Sequence, residues 1–334
     1  MSSVKKQIEI LIKKGLTISS KKTAKAILLK ENYYNVINGY KDCFLDAAYV
    51  PSLPTDPNEK FLPGTTFEQV YSLFVFDRNI RNLFLKYFLI VENQFKSHMA
   101  YIFARVHGED GYLNVDNFET SNEKAFYVYS LEKQINSVIE KNKKDDRIAH
   151  FCYNNNNKIP IWALVSLFDV GTTRTFFRNC DNSVTPKICY YYGITTSQMN
   201  SFWSSINMFR NVCAHDDRLY CYRINDNDKQ IKDTNVHANL RINTTTYTDP
   251  ISGATLTKYI YGKKDLFSII IVFKYMLTDE DFSLFFNELN AHLNALSGAI
   301  TIPEYNKVID LMGFPLADPL TGQCPWTNIL TVAK

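Results

Sequence analysis

The residues best suited to chemistry lie in one short run, Arg210-Asn211-Val212-Cys213-Ala214-His215. On a helix, positions four apart share a face, so Asn211 and His215 lie together, and the long side chain of Arg210 can reach that face. An imidazole exchanges protons near neutral pH, a guanidinium grips a phosphate through two N–H groups, and an amide orients either partner. These are the groups that cleavage of RNA without a metal requires.

The same spacing is also compatible with a structural role, because a protonated histidine at a helix C-terminus is stabilised by the helix dipole. Cys213, His215 and Cys221 are close in sequence, but they lack the paired spacing of a structural zinc site. The sequence carries no Walker loop, G-x-G-x-x-G, G-x-S-x-G or H-E-x-x-H motif. We therefore expect no metal and no cofactor.

Helices must position this motif. The segment from Phe67 to about Arg105 has apolar residues at a near-3.6 period and no Gly or Pro, which predicts a helix approaching 60 Å at about 1.5 Å per residue. The motif itself ends a predicted helix over Ser197 to His215, whose apolar stripe is Phe202, Ile206, Phe209 and Cys213. Further helices are predicted over Lys21 to Tyr40, Ser121 to Lys144, the residues after Pro160, Leu266 to Leu277, Asp279 to Leu296 and Pro303 to Met312.

Two details of these elements are specific enough to check. In the helix over Ser121 to Lys144, the pattern turns Phe126, Leu131, Ile135 and Val138 inward. The segments Leu240 to Tyr247 and Ala254 to Tyr261 are rich in Thr, Tyr and Ile and flank a turn, which predicts a β-hairpin. The fold class is thus all-α, with a small β-hairpin insertion.

Composition excludes several classes of protein. The chain has 334 residues, 46% hydrophobic and 21% charged, with a formal charge of +3, so it is neither disordered nor strongly basic as a whole. The longest apolar runs, 88–91 and 266–273, are too short to span a membrane. Seven scattered cysteines without a C-x-x-C pair indicate reduced thiols, and there is no signal-peptide pattern. We therefore expect a cytoplasmic protein that does not contact a membrane.

Charge is concentrated at the N-terminus. Residues 1–30 hold eight lysines and one acid, Glu9, for a local charge of +7. Lysines interleaved with Ile8, Ile10, Leu11 and Ile12 suit contact with RNA phosphates, although such a run is also typical of a solvated helix face. Both interpretations of this basic arm stay open.

Several stretches outside the motif are as distinctive as the motif itself. They are Asn32-Tyr33-Tyr34, Asn38-Gly39-Tyr40, Tyr71 with Phe76-Asp77-Arg78 and Arg81, Val91-Glu92, Ile159-Pro160-Ile161-Trp162, Arg218-Leu219-Tyr220 and Met312-Gly313-Phe314-Pro315. In this order, and with Arg210 to His215, the chain resembles the abortive-infection family of AbiD/AbiF type. That family belongs to the HEPN superfamily, whose hallmark R-x4-6-H closes a helix of an all-α domain. The hairpin near residues 235–262 and the tail from Leu316 to Trp326 depart from the pattern.

The resemblance implies a HEPN-like helical bundle whose homodimer brings two R-x4-6-H motifs together. It also implies a metal-independent endoribonuclease, or an RNA-bound toxin, that acts in phage defence with RNA as its partner and no DNA. We divide the chain into an N-terminal helical region with the basic arm (1–66), a HEPN-like core (67–225) and a C-terminal region with the hairpin and packing helices (226–334). The alternative is a non-catalytic module of the same fold that binds RNA or protein.

We assign the catalytic roles to Arg210, Asn211 and His215. Supporting or RNA-binding roles are assigned to five other residues: Glu92, Lys96, Asp217, Arg218 and Tyr220. Glu92 and Lys96 are also compatible with an exposed i,i+4 pair, and Asp217 and Arg218 with a simple helix cap. Asp77, Arg78 and Arg81 are expected to form an internal ion-pair cluster rather than to contact RNA.

Overall fold

One long helix, α3 (Phe67–His107), runs through the centre of the molecule. The computed structural model describes residues 3–53, 55–119, 125–154, 158–315 and 325–334. The helix begins at a capping box, in which the Thr66 hydroxyl accepts from the Gln69 N–H and the Gln69 side chain accepts from the Thr66 N–H. Its 41 residues span about 60 Å, which confirms the predicted length.

The described part of the chain is mostly helical, which confirms the all-α prediction in its coarse form, while the HEPN-like assignment stays a prediction. Around α3 are α1 (Val4–Lys13), α2 (Lys21–Glu31), α4 (Ala125–Lys141), α5 (Ala149–Asn154), α6 (Ile161–Leu164), α7 (Val170–Asn179), α8 (Thr185–Tyr191), α9 (Thr196–Ala214), α10 (Asn235–Asn239), α11 (Leu266–Met276), α12 (Asp279–Ser297) and α13 (Ile302–Leu311). Short 3₁₀ segments are Lys41–Phe44, Gly111–Leu113, Val115–Asn117, Val165–Leu167, Asn227–Lys229 and Pro325–Leu330.

The core lies where α9, α11 and α12 pack against α3. Every residue of α11 is buried, as expected for a helix that is apolar on all sides. Phe273 of α11 meets Phe84 and Phe88 of α3 and Phe285 of α12, with ring centroids 5.0 to 5.7 Å apart. The bundle is therefore held together by aromatic packing.

No helix in the described ranges is both long and apolar enough to cross a membrane.

The predicted hairpin is present as β1 (Thr244–Thr248) and β2 (Thr255–Tyr259), paired antiparallel with Thr246 opposite Thr257. All residues of β1 are exposed. The strands thus form a small insertion rather than part of the core.

The N-terminal segment is folded onto the body of the protein. Ile8 and Leu11 of α1 and Ala24 and Leu28 of α2 are buried, while most of the lysines between them are exposed. A π-helix, Tyr34–Asn38, follows α2 and packs against α3. The basic arm is thus an amphipathic pair of helices and does not extend away from the bundle.

One predicted detail is wrong, and one lies outside the described residues. Phe126 is 74% exposed, because α4 turns the stripe Val128, Leu131 and Ile135 inward, and a position two residues before Val128 lies on the opposite face. Of the predicted tail elaboration, residues 316–324 are outside the described ranges. The six described cysteines are free.

Candidate functional site

Helix α9 presents the motif at its C-terminal end. Buried Phe202, Ile206 and Phe209 fix the helix against the core, which leaves Arg210 half-buried and Asn211 exposed. The helix begins at a second capping box, Thr195 with Gln198, and ends with His215 as its C-cap. The predicted stripe is therefore confirmed, and it directs the polar motif away from the core.

The chain turns sharply after His215. Asp216 adopts φ +59°, a left-handed conformation that Asp tolerates better than most residues, and the Asp217 N–H donates to the Val212 carbonyl. The backbone N–H groups of Leu219 and Tyr220 then donate to the Asp77 carboxylate on α3, at 3.2 and 2.8 Å. The end of α9 is thus fastened to α3.

Asp77 accepts the hydrogen bonds that hold the end of α9 against α3, and it is completely buried. Its Oδ2 accepts from the Tyr40 hydroxyl at 2.7 Å and from Arg81 Nη1 at 2.6 Å. Burial raises the pKa of Asp77, whereas Arg81, the Tyr40 hydroxyl and the two N–H groups act in the opposite direction. The second arm of the Arg81 guanidinium donates to Asp216, so one network joins α3, the π-helix region and the turn after α9.

A polar cavity of about 400 Å³ opens beside this network. His215 and Arg218 line one side, and the π-helix residues Tyr34, Asn35 and Asn38 line the other. Arg210 and Asn211 are not among the described residues that line it. His215 follows Arg210 by five residues, which on an ideal helix is a rotation of about 140° around the axis. Within one chain, the guanidinium and the imidazole therefore point in different directions.

The three polar side chains of the motif have no hydrogen-bond or ion-pair partner among the described residues. Within the described ranges, the structure gives no hydrogen bond or ion pair to the side chains of Arg210, Asn211 or His215, and Arg210 Nε is buried without a partner. A buried polar group without a hydrogen bond costs free energy. The motif therefore holds polar groups that a phosphate, or a second protein surface, would satisfy.

The five supporting residues have three different environments. Glu92 and Lys96 form a buried pair at 2.5 Å, and Lys96 also donates to the Phe168 carbonyl, so the exposed-pair interpretation is wrong. These two residues lie about 22 Å or more beyond Asp77 along α3 and do not line the His215 cavity.

Asp217 and Arg218 line the cavity, but Arg218 also donates to the Gly39 carbonyl at 3.1 Å within its own chain. Tyr220 is 2% exposed and its ring stacks on Tyr40. The supporting or RNA-binding role expected of Tyr220 stays a prediction, and its buried ring fits the supporting role, by packing. The expected internal cluster is confirmed for Asp77 and Arg81.

Arg78 pairs with Glu31 instead of with Asp77, at 2.5 Å. Tyr34, Asn35 and Asn38 receive no role from sequence spacing, because they lie more than 170 residues before His215. The signal that marks Tyr34 and Asn38 is their place within the resembling stretches at the N-terminal end. Only the fold brings the π-helix and the end of α9 together.

The chemistry available here is proton transfer and anion binding. Histidine changes charge near neutral pH, and arginine holds phosphate through planar N–H pairs. In the described part of the chain, no group of three or more histidine, cysteine, aspartate or glutamate side chains is arranged to hold a metal ion. The cavity thus offers the His215 imidazole and the Arg218 guanidinium, while the Arg210 guanidinium lies on a different face of α9.

Comparison with known proteins identifies the family. No curated protein and no solved structure matches the chain significantly. A family model described as Abi-like protein matches residues 26–221, which is more than half of the 334 residues. The match includes the π-helix, α3, α9 and the whole motif, and it ends before the hairpin. The chain therefore belongs to the Abi-like protein family.

Proposed function

We propose that this chain is a metal-independent endoribonuclease, or RNA-bound toxin, of the AbiD/AbiF type in the HEPN superfamily. Family membership indicates a role in abortive infection. The observation that supports catalysis is the state of the motif: His215 is exposed at a polar cavity, and Arg210 and Asn211 beside it have no partners among the described residues. A cytoplasmic location follows from the RNA substrate.

In the proposed reaction a base removes the proton of an RNA 2′-OH, and the 2′ oxygen attacks the adjacent phosphorus. The bond from phosphorus to the 5′ oxygen breaks as an acid protonates that leaving oxygen. The products are a 2′,3′-cyclic phosphate and a 5′-OH end. His215 acts as base or acid, Arg210 binds the non-bridging phosphate oxygens, and Asn211 orients the imidazole or the phosphate.

A homodimer would bring together the Arg210 and His215 side chains that a single chain holds apart. One chain supplies a single imidazole and turns Arg210 away from the cavity at His215. A two-fold axis through the ends of two α9 helices would place the Arg210 of one protomer opposite the His215 of the other. The shared cleft then contains a base, an acid and two phosphate ligands.

Catalysis is tested by incubating the purified protein with total cellular RNA in EDTA and determining the chemistry of the new ends. We expect cyclic 3′ ends and 5′-OH ends, and His215→Ala should lower the rate by about 10²- to 10⁴-fold. His150→Ala, which removes another exposed histidine, is the matched control and should cleave normally. Full activity of His215→Ala, or a requirement for Mg²⁺ or Mn²⁺, would refute the proposal.

The shared cleft is tested with a mixed dimer. Arg210→Ala and His215→Ala subunits carrying different tags are coexpressed, and the doubly tagged species is purified. Its shared cleft keeps one intact Arg and one intact His in a composite site, so it should regain cleavage that neither parent shows. Inactive mixed dimers, or a fully active monomer in light scattering, would exclude the composite site.

The alternative is a non-catalytic module that binds RNA or protein. It is favoured by one observation, the absence of Arg210 and Asn211 from the described lining of the His215 cavity. Sequencing the RNA that copurifies with the protein separates the two. A structured RNA without cleaved ends would support the binding module.

A further inference from the structure

A second groove lies on the other half of α3, where it meets α8. Its volume is about 690 Å³, within the range typical of ligand pockets. Its principal lining residues are His98, Tyr101, Arg105, Lys187, Tyr190 and Tyr191. None of the described residues that line it carries a negative charge.

The tyrosines of this groove are unusually exposed. Tyr101 is 62%, Tyr190 87% and Tyr191 63% exposed, whereas the adjacent Tyr192 is buried and its hydroxyl bonds to His98 Nδ1 at 2.8 Å. A single exposed ring needs no explanation, but three rings around one groove form a patch. Such a patch is typical of a binding surface.

Neighbouring side chains hold two of these rings in place. The Tyr191 ring lies 4.0 Å from the His98 ring between centroids, and the Arg105 guanidinium lies 5.6 Å from the centre of the Tyr101 ring. Contacts that orient a ring before a ligand arrives lower the conformational entropy lost on binding. The Tyr190 ring is left with almost all of its surface in water.

The charges beside the rings have one sign. Arg105 and Lys187 are both exposed at the groove, and its described lining offers no carboxylate to oppose an anion. Aromatic rings alternating with cations are what single-stranded nucleic acids need, since bases stack on the rings while phosphates approach the cations. Tyrosine and arginine also occur at protein interfaces, but the cores of those interfaces are depleted in charged residues, lysine among them.

We propose that this groove binds single-stranded RNA, with bases stacked on Tyr101, Tyr190 and Tyr191 and phosphates held by Arg105 and Lys187. The choice of RNA over DNA rests on the proposed function. The groove is separate from the His215 cavity, because Tyr101 lies 20 positions beyond Arg81 on α3, about 30 Å along the helix and about 200° around it. It therefore binds a strand away from the point of cleavage.

Binding is measured with a fluorescent six-nucleotide RNA in the His215→Ala background, so that cleavage does not interfere. Tyr190→Ala and Tyr191→Ala should each weaken binding by about 5- to 150-fold, the effect of losing one base stack. Tyr190→Phe keeps the ring and should bind normally. Tyr153→Ala removes a tyrosine that is 74% exposed outside the groove, and it is the matched control.

The salt dependence of the same titration separates the rings from the cations. Lys187→Ala should flatten the slope of log K against log salt by about 0.7, the value for one phosphate contact with a single strand. Tyr190→Ala should lower the affinity and leave that slope unchanged. An oligomer that is abasic at every position loses all three stacks, so it should bind wild type more weakly than the normal oligomer binds Tyr190→Ala.

Two outcomes would overturn this inference. RNA affinity unaffected by Tyr190→Ala and Tyr191→Ala would exclude the stacking site, and a change in oligomeric mass in those variants with unchanged RNA affinity would assign the patch to a protein contact. Cleavage by wild type is followed in parallel. Ring-dependent binding without any cleavage would refute the proposed catalysis alone, and cleavage without ring-dependent binding would refute the groove alone.

Discussion

Two charged clusters meet at the end of α9, and they are built in opposite ways. In the first, Asp77 is fully buried and accepts from Tyr40, Arg81 and two backbone N–H groups. In the second, Arg210 and His215 have no hydrogen bond or ion pair among the described residues, although Arg210 Nε is shielded from water. The two clusters are joined by the short turn at Asp216.

This difference separates a structural role from a functional one. A buried carboxylate with four donors is saturated and has no acceptor capacity left for a ligand, but it fixes the backbone that carries the motif. Polar groups without partners add no bond that stabilises the fold, and they remain available to a ligand. The Asp77 network therefore positions the motif, and the motif is the part that meets the substrate.

The largest effect expected from this comparison is on stability. Asp77→Asn keeps the shape of the side chain but leaves the buried Arg81 guanidinium without its principal counter-charge, so the free energy of unfolding should fall by about 3–5 kcal/mol. Urea denaturation followed by circular dichroism measures it. Asp217→Ala, at an exposed carboxylate beside the same turn, should change stability by less than about 0.5 kcal/mol. Equal losses in the two variants would contradict the division into a structural and a functional cluster.

The second cluster should show the opposite behaviour. Arg210→Lys keeps a positive charge but loses the planar pair of donors, so RNA cleavage should fall by about 10²- to 10³-fold, as when a donor to developing charge is removed. The temperature of thermal unfolding should not fall, because the described residues give this side chain no bond to lose and its Nε is buried without a partner. Arg178→Lys, at an exposed arginine of α7, is the control for activity. Normal turnover of Arg210→Lys would reduce this residue to a general electrostatic role.

The sequence predicts the helices and the motif because these depend on local periodicity. The 3.6-residue spacing predicts the bounds of α3 and α9 to within about two residues, and the Thr- and Tyr-rich segments predict the hairpin. It could not predict that Glu92 and Lys96 are buried, because the Phe168 carbonyl that partners Lys96 is 72 residues away. For the same reason the part played by Tyr34, Asn35 and Asn38 in the cavity is visible only in the folded chain.

The Asp77 network can also be weakened by removing a single oxygen atom. Tyr40→Phe keeps the ring that stacks on Tyr220 but removes the hydroxyl that donates to Asp77 at 2.7 Å. A hydrogen bond to a charged group contributes about 1.5–3 kcal/mol. The free energy of unfolding should therefore fall by that amount in the same urea assay. Tyr34→Phe, at an exposed ring of the cavity, should be neutral. A neutral Tyr40→Phe would mean that Arg81 and the backbone donors suffice to hold Asp77.

The smallest effect concerns charges that are exposed but spread over a helix face. Lys5, Lys6 and Lys13 of α1 are exposed, while Ile8 and Leu11 between them are buried, so deleting the arm would remove core residues together with charge. Replacing the three lysines by alanine removes charge alone. It should flatten the salt slope of RNA binding by up to about 0.7 for each phosphate that α1 then leaves unneutralised.

The control for those lysines removes the same charge elsewhere, by alanine at the exposed residues Lys133, Lys141 and Lys144. If α1 contacts the RNA, the salt slope of RNA binding changes in the α1 variant and stays the same in the control variant. The reason is that charges interact over only about 10 Å at ordinary ionic strength. Equal changes would mean that only the net charge matters. In that case an exposed charge is not enough to make a binding site, and RNA recognition would rest on the motif at the end of α9 and on the groove between α3 and α8.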